Sequence, residues 1–173
     1  QNLYYGPGGH VVHYPVGRKG KVNFVGIRDS SEWTKESWKE EGLKNDLLKD
    51  FSDWNPDLLR LLISPKRLFK WGIFERPKIT EIKNKNIALL GDAAHPMVPF
   101  LGQGGCMAIE DAYTFGELYS SLGNLKETLN MYQKIRLKRG NWIQGRSNLQ
   151  AKFNHISSPT LAKLRNLLID IAA

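Results

Sequence analysis

The sequence predicts an α/β chain of the α+β kind, with antiparallel strands early and helices late. Three observations carry that expectation. Runs rich in β-branched and aromatic residues, separated by turn residues, fill the stretch up to Arg28. From Gly104 onward, apolar residues recur at three- and four-residue steps. Between these regions a short apolar run stops at Gly91-Asp92 and enters a loop rich in proline and glycine.

The length, 173 residues, suits about one domain with a real core. Hydrophobic residues make up 41% and charged residues 24%, a globular balance. No apolar run approaches the roughly 20 residues of a membrane span, and no basic-then-apolar leader is visible. Cys106 is the only cysteine, which excludes an internal disulfide and a cysteine-based zinc site. It fits a reducing, cytoplasmic setting. The chain opens on Gln1 without a methionine, which reads as a piece of a longer polypeptide or the product of a cut. The net charge of +8 comes from scattered lysines and arginines with no interleaved aromatic stripe, so nucleic acid is not the expected partner.

In chain order, "HVVHYPV" and "KVNFVGIR" predict two antiparallel strands joined by the turn "GRKGK". "SSEWTKESWKEEGLKNDLLKDFSDW" changes to helical periodicity, with Leu43, Leu47, Leu48 and Phe51 on one face. Asn55 as a cap, with Pro56 in the first helical position, starts a short second helix. "RLFKWGIFER" returns to strand character. "NIALLG" reads as a short strand buried on both faces. Met107, Ile109, Ala112, Phe115, Leu118 and Leu122 give the next helix an apolar side. After a break at "LGNL" a long helix follows, and Pro159 opens a final one.

The chemistry is concentrated in "GDAAHPMVPFLGQGGCMAIEDA", Gly91 to Ala112. Gly91 permits a sharp turn at the strand end. Asp92 then projects from the carboxyl end of a strand, where α/β sheets place ligands. A carboxylate accepts hydrogen bonds only, which suits a polyhydroxyl ligand such as a ribose or ribityl chain. Pro96 and Pro99 stiffen the loop, and Gly102, Gly104 and Gly105 let backbone amides approach a ligand. The helix start behind them favours an anion or an electron-rich ring. For Gly-Asp alone, a glycine-rich turn with a capping aspartate would be the simpler reading.

The whole string, however, closely resembles the second FAD-binding motif of the flavoprotein aromatic hydroxylases, the group of 4-hydroxybenzoate hydroxylase and salicylate hydroxylase. "GPGGHVVHYPV", "VNFVGI", the tryptophan- and glutamate-containing segment after them, and "ERPKI" resemble the substrate domain of the salicylate hydroxylase branch. The resemblance implies the second half of a 4-hydroxybenzoate-hydroxylase-like FAD/NAD(P)-binding fold. Residues 1–80 would be part of the substrate-binding domain, 81–122 the FAD-binding segment and 123–173 C-terminal helices. Asp92 would hold the ribityl hydroxyls. The Pro99 carbonyl and the amides around Gly104, Gly105 and Cys106 would line the flavin ring. The Cys106 side chain reads as packing rather than a nucleophile, and His95 as structural.

Strand periodicity puts His10, Val12 and Tyr14 on one face and His13 on the other. In the related hydroxynicotinate and 3-hydroxybenzoate hydroxylases, a histidine and a tyrosine four apart on this strand face the substrate, and His10 and Tyr14 match them. An imidazole of near-neutral pKa could accept a phenol proton. A strand histidine satisfied by backbone is the competing reading. Val12 and Phe100 would belong to the substrate wall. Phe100 stands where some relatives carry a polar contact, which suggests a more apolar wall.

The resemblance further implies an aromatic, hydroxybenzoate-like substrate hydroxylated through a flavin C4a-hydroperoxide, with NAD(P)H as reductant. Two family features are absent from this sequence: the strand–GxGxxG–helix unit, for which "GPGGHVV" is no match, and the middle DG motif. The expected partners are therefore the missing N-terminal half or a second copy of the chain, as a homodimer. Two other readings stay open: hydroxylation or epoxidation of a non-aromatic substrate, and a flavin-free binding or assembly module.

Overall fold

A computed structural model describes residues 1–17, 20–31, 39–74 and 76–172. The chain divides into two compact units, Gln1–Ile73 with Lys152–Ala173, and Phe74–Ala151. It mixes antiparallel strands and helices as predicted.

The first unit is built on a three-stranded antiparallel meander, β1 (Asn2–Gly6), β2 (Gly9–Val16) and β3 (Lys21–Arg28), in that spatial order. Strand β1 was not expected from the sequence. It forms because Gly6 pairs with Gly9 across the turn Pro7-Gly8, where Gly8 takes φ 64°. Proline followed by a left-handed glycine is a strong two-residue reversal. In the β2–β3 connection, Arg18 and Lys19 lie outside the described residues.

The odd-numbered face of β2 packs on two short helices, α1 (Lys44–Asp50) and α2 (Pro56–Ile63). Val11, Phe51, Leu58 and Leu62 form this core, with Tyr4, Phe24, Leu47 and Trp54 around it. Asn55 caps α2 as predicted, its side chain accepting from the Asp57 amide, and Pro56 occupies the first turn. In α1, Leu47 and Phe51, four apart, turn inward, whereas Leu43 and Leu48 are exposed. Leu43 precedes the helix in extended backbone, and Leu48 lies about 100° round from Leu47. The helical periodicity expected over 32–38 falls outside the described residues.

"RLFKWGIFER" supplies only β5 (Leu68–Phe69), paired with an equally short β4 (Glu41–Gly42); Glu75 is outside the described residues. Helix α5 (Pro159–Ala172) starts at the predicted proline. Its Arg165 is buried over the Tyr5 ring, with Leu161, Leu164, Leu167, Leu168 and Ile171 exposed.

The second unit holds a minimal hairpin, β6 (Lys83–Asn84) and β7 (Ile87–Ala88), followed by α3 (Gly104–Leu122) and α4 (Leu125–Asn154). Its core joins Ile82, Ala94 and Tyr132, flanked by Phe115, Leu118 and Leu137. "NIALLG" is not buried on both faces: Ile87 is 66% exposed, and Leu89 and Leu90 are also exposed. Among the described residues β7 pairs with β6 alone, so no further strand covers it. Among the described residues no helix is long and apolar enough to cross a membrane.

Burial ranks the leucines of the first unit. Leu62→Ala is expected to cost about 2–5 kcal/mol, seen as a lower urea midpoint, whereas Leu164→Ala should stay within about 0.5 kcal/mol of wild type.

Candidate functional site

The Gly-Asp motif forms a short 3₁₀ turn, Gly91–Ala93, entered through Leu90 in extended backbone. Gly91 has φ 56°, and a Cβ there would stand 3.1 Å from the Ala108 Cβ, so both backbone conformation and space call for glycine. The Gly91 carbonyl accepts from the amides of Ala94 and His95, closing the turn.

One buried carboxylate ties this turn to the two long helices. Asp111 Oδ2 accepts from the Gly91 amide at 2.8 Å and lies 2.7 Å from His95 Nε2. Asp111 Oδ1 accepts from Arg136 Nε at 2.6 Å. Arg136 also donates to Glu110, which Arg139 grips with two further bonds. Asp111, His95 and Arg136 are all buried. The two arginines hold the Glu110 carboxyl down at about 2, Arg139 contributing most. Helix α4 comes close enough because residue 140 is glycine: a Cβ there would lie 2.3 Å from His95 Nδ1. His95 thus has the structural place expected of it.

With Gly91 and His95 anchored, Asp92 between them is left exposed. Its Oδ1 lies 3.7 Å from where a Cβ on Gly104 would stand. The loop is braced by Ser147, whose hydroxyl donates to the Val98 carbonyl. A second 3₁₀ turn, Pro99–Leu101, ends at Gly102 with φ 63°. Gly102 donates to the Pro99 carbonyl, which keeps one lone pair for another donor. Helix α3 then begins with no side-chain cap from Gln103. A Cβ on Gly105 would meet nothing within 4 Å. Phe100 is half-buried, and Cys106 is exposed, so its side chain does not pack as expected. An uncapped helix start beside an exposed carboxylate fits a ligand with hydroxyls at one end and an electron-rich edge at the other. FAD has both.

The other predicted residues belong to the first unit. His10 is buried, with Nδ1 2.8 Å from His155 Nε2, and His155 Nδ1 is 2.6 Å from Asp29 Oδ1. Its satisfaction by side chains rather than backbone was not expected. Burial, and then the neighbouring His155, push the His10 pKa down to about 4, against the near-neutral value predicted. Val12 is half-buried, and the exposed Tyr14 accepts from Asn23 Nδ2 at 2.9 Å. His13, on the opposite face, stacks on Tyr4. Sequence reasoning missed Asp111, Arg136, Asp29 and His155 as participants. Asp111, Gly91 and His95 all lay within the quoted motif, but nothing in their spacing marked them as partners, and Arg136 lies outside it. No cluster of metal-ligating side chains occurs among the described residues.

The chain belongs to the FAD binding domain family, which it matches over residues 8–145. It is 32% identical over 165 residues to a 3-amino-4-hydroxybenzoate 2-monooxygenase of Streptomyces platensis, covering 95% of this chain and 42% of that enzyme. To 3-hydroxybenzoate 6-hydroxylase 2 of Aquipseudomonas alcaligenes it is 36% identical over 139 residues, covering 80% of this chain and 43% of the relative. Among solved structures it matches a salicylate hydroxylase substrate complex with a TM-score of 0.79 and 28% identity, over 96% of this chain and 44% of the other. The chain therefore spans less than half the length of these relatives.

Two outcomes follow from the Asp111 cluster. Asp111→Asn leaves Arg136 buried without its full counter-charge and should cost about 3–5 kcal/mol in denaturant melts. Glu110 has a folded pKa below its ordinary value of 4.5. Its contribution is present above that value and is lost as pH falls through it towards about 2. Glu110→Gln should therefore flatten the acid limb of a stability–pH curve.

Proposed function

We propose that this chain forms the ribityl-and-ring side of the flavin site, with part of the substrate domain, in an FAD-dependent monooxygenase that hydroxylates a hydroxybenzoate-like aromatic acid. The anchored turn that leaves Asp92 exposed beside the uncapped start of α3 carries this reading. Asp92 accepts from ribityl hydroxyls. The amides of Gly104, Gly105 and Cys106 and the Pro99 carbonyl line the ring, while Gly91 and Gly102 shape the two turns. The helix start stabilises negative charge on the ring edge it faces. When bound, FAD supplies the redox chemistry, with NAD(P)H as reductant and molecular oxygen as oxidant.

On the substrate side, His10 and Tyr14 of β2 face the aromatic substrate, with Val12 beside them on the same strand face. The divisions 1–80, 81–122 and 123–173 correspond to substrate-domain, flavin-binding and C-terminal helical segments. The remaining parts of the cofactor and substrate sites come from the portion of the relatives that this chain does not span. The complete protein is a cytoplasmic homodimer in this reading.

The test is an absorbance spectrum of the complete protein with intact mass on the same sample, followed by NAD(P)H oxidation in the presence of hydroxybenzoates. Flavin bands and a hydroxylated product are expected. Loss of a charge-assisted bond in Asp92→Ala should weaken flavin retention roughly thirtyfold, about 2 kcal/mol. A colourless complete protein, or flavin retention unmoved by Asp92→Ala, would sink the proposal.

A further inference from the structure

His10 is assembled with two residues remote from it in sequence. Asp29 directly follows β3, and its amide donates to the Gly8 carbonyl at 2.8 Å, tying it to the β1–β2 turn. His155 directly follows α4, with its ring 8% exposed, whereas the Asp29 side chain is 66% exposed. The hydrogen-bonded order is Asp29, His155, His10.

The terminal carboxylate decides where the protons sit. An ionised carboxylate can only accept, so His155 carries a proton on Nδ1. In neutral His155, Nε2 is then a lone pair, and His10 must donate to it from Nδ1. In neutral His10 that leaves Nε2 as the basic atom.

We propose that Asp29, acting through His155, is a positioning residue for His10: it holds the His10 proton on Nδ1 and takes up, through His155, the charge that arises when Nε2 accepts a proton. This rests on the reading that His10 meets a phenolic substrate. The aromatic O–H breaks and its electron pair stays on oxygen, while the proton bonds to His10 Nε2. The His10 Nδ1–H proton passes to His155 Nε2, and the imidazolium forms beside the Asp29 carboxylate. His10 alone is a poor base, since burial disfavours its charged form and holds its pKa near 4. Moving the charge to His155 places it next to a carboxylate that solvent also reaches.

Other charged and titratable groups border the pair. Tyr5 stands opposite His10 in the β1–β2 register, and Arg28 precedes Asp29 at the end of β3. Arg165 of α5 lies 4.5 Å from the Tyr5 ring centre and donates to the carbonyls of Phe153 and Asn154, just before His155. None of them stands between Asp29 and His155 in the hydrogen-bonded chain.

The experiment uses the complete protein labelled with ¹⁵N-histidine, read by long-range ¹H–¹⁵N spectra and by hydroxylation kinetics. At mildly alkaline pH both His10 and His155 should be Nδ1–H tautomers. Asp29→Asn should shift those tautomers and lower hydroxylation kcat on the order of a hundredfold, with flavin content and the KM for NAD(P)H unchanged. It should also move the acid limb of kcat/KM to lower pH, because removing the carboxylate weakens proton binding by the pair. Asp29→Glu should restore most of the rate. An Nε2–H tautomer for His10 in the wild type needs no variant to observe and would overturn the proposal. So would tautomers and a pH profile unmoved by Asp29→Asn. Tautomers that respond to Asp29→Asn, in a flavin-loaded protein that hydroxylates no phenol, would overturn the substrate reading and leave the control of His10 by Asp29 standing.

Discussion

The second unit depends on the carboxylate of Asp111. Three contacts converge on it within hydrogen-bonding distance: the Gly91 amide, His95 Nε2 and Arg136 Nε. Together they join the start of the motif turn, its end, and the neighbouring helix. A buried carboxylate is costly unless its lone pairs are filled and its charge is balanced. Here both conditions hold, and the cluster converts that cost into geometry. The exposed Asp92 is displayed by a turn whose two ends are both held by Asp111.

The first unit follows a similar logic at a different scale. The Val11 face of β2 is filled by apolar side chains from α1 and α2. The opposite face buries a histidine instead, and it does so with polar partners drawn from β3's end and the segment after α4. One strand thus carries a plain core on one side and a hydrogen-bonded chain on the other. The alternation of side chains along β2 separates these two environments.

Much of this was legible in the sequence, and the rest was hidden for identifiable reasons. Local signals worked where the cause is local: the Asn55-Pro56 cap, the β2–β3 strands, the motif glycines with φ above zero, and the long helices of residues 104–154. Strand β1 was missed although "LYY" before "GPGG" has hairpin character. The burial of "NIALLG" was misjudged because strand burial is set by neighbours, and apolar composition alone does not supply them. Asp29 and His155 are separated by 126 residues, so no spacing rule could join them. The low pKa of His10 comes first from its burial and then from His155, and strand periodicity discloses neither. Asp111 was visible as a letter in the motif, but its function lies in contacts with His95 and Arg136.

The anchoring of Gly91 and His95 also bears on how a flavin would be loaded. Every group that fixes the turn belongs to the protein itself, so its shape does not depend on the ligand it is built to meet. Binding to such a turn requires little local ordering, and the entropy of arranging Asp92 and the start of α3 is already spent during folding. A flavin bound at this turn would therefore meet a template already set by Asp111, and its exchange would be governed by access to the site rather than by refolding of the loop.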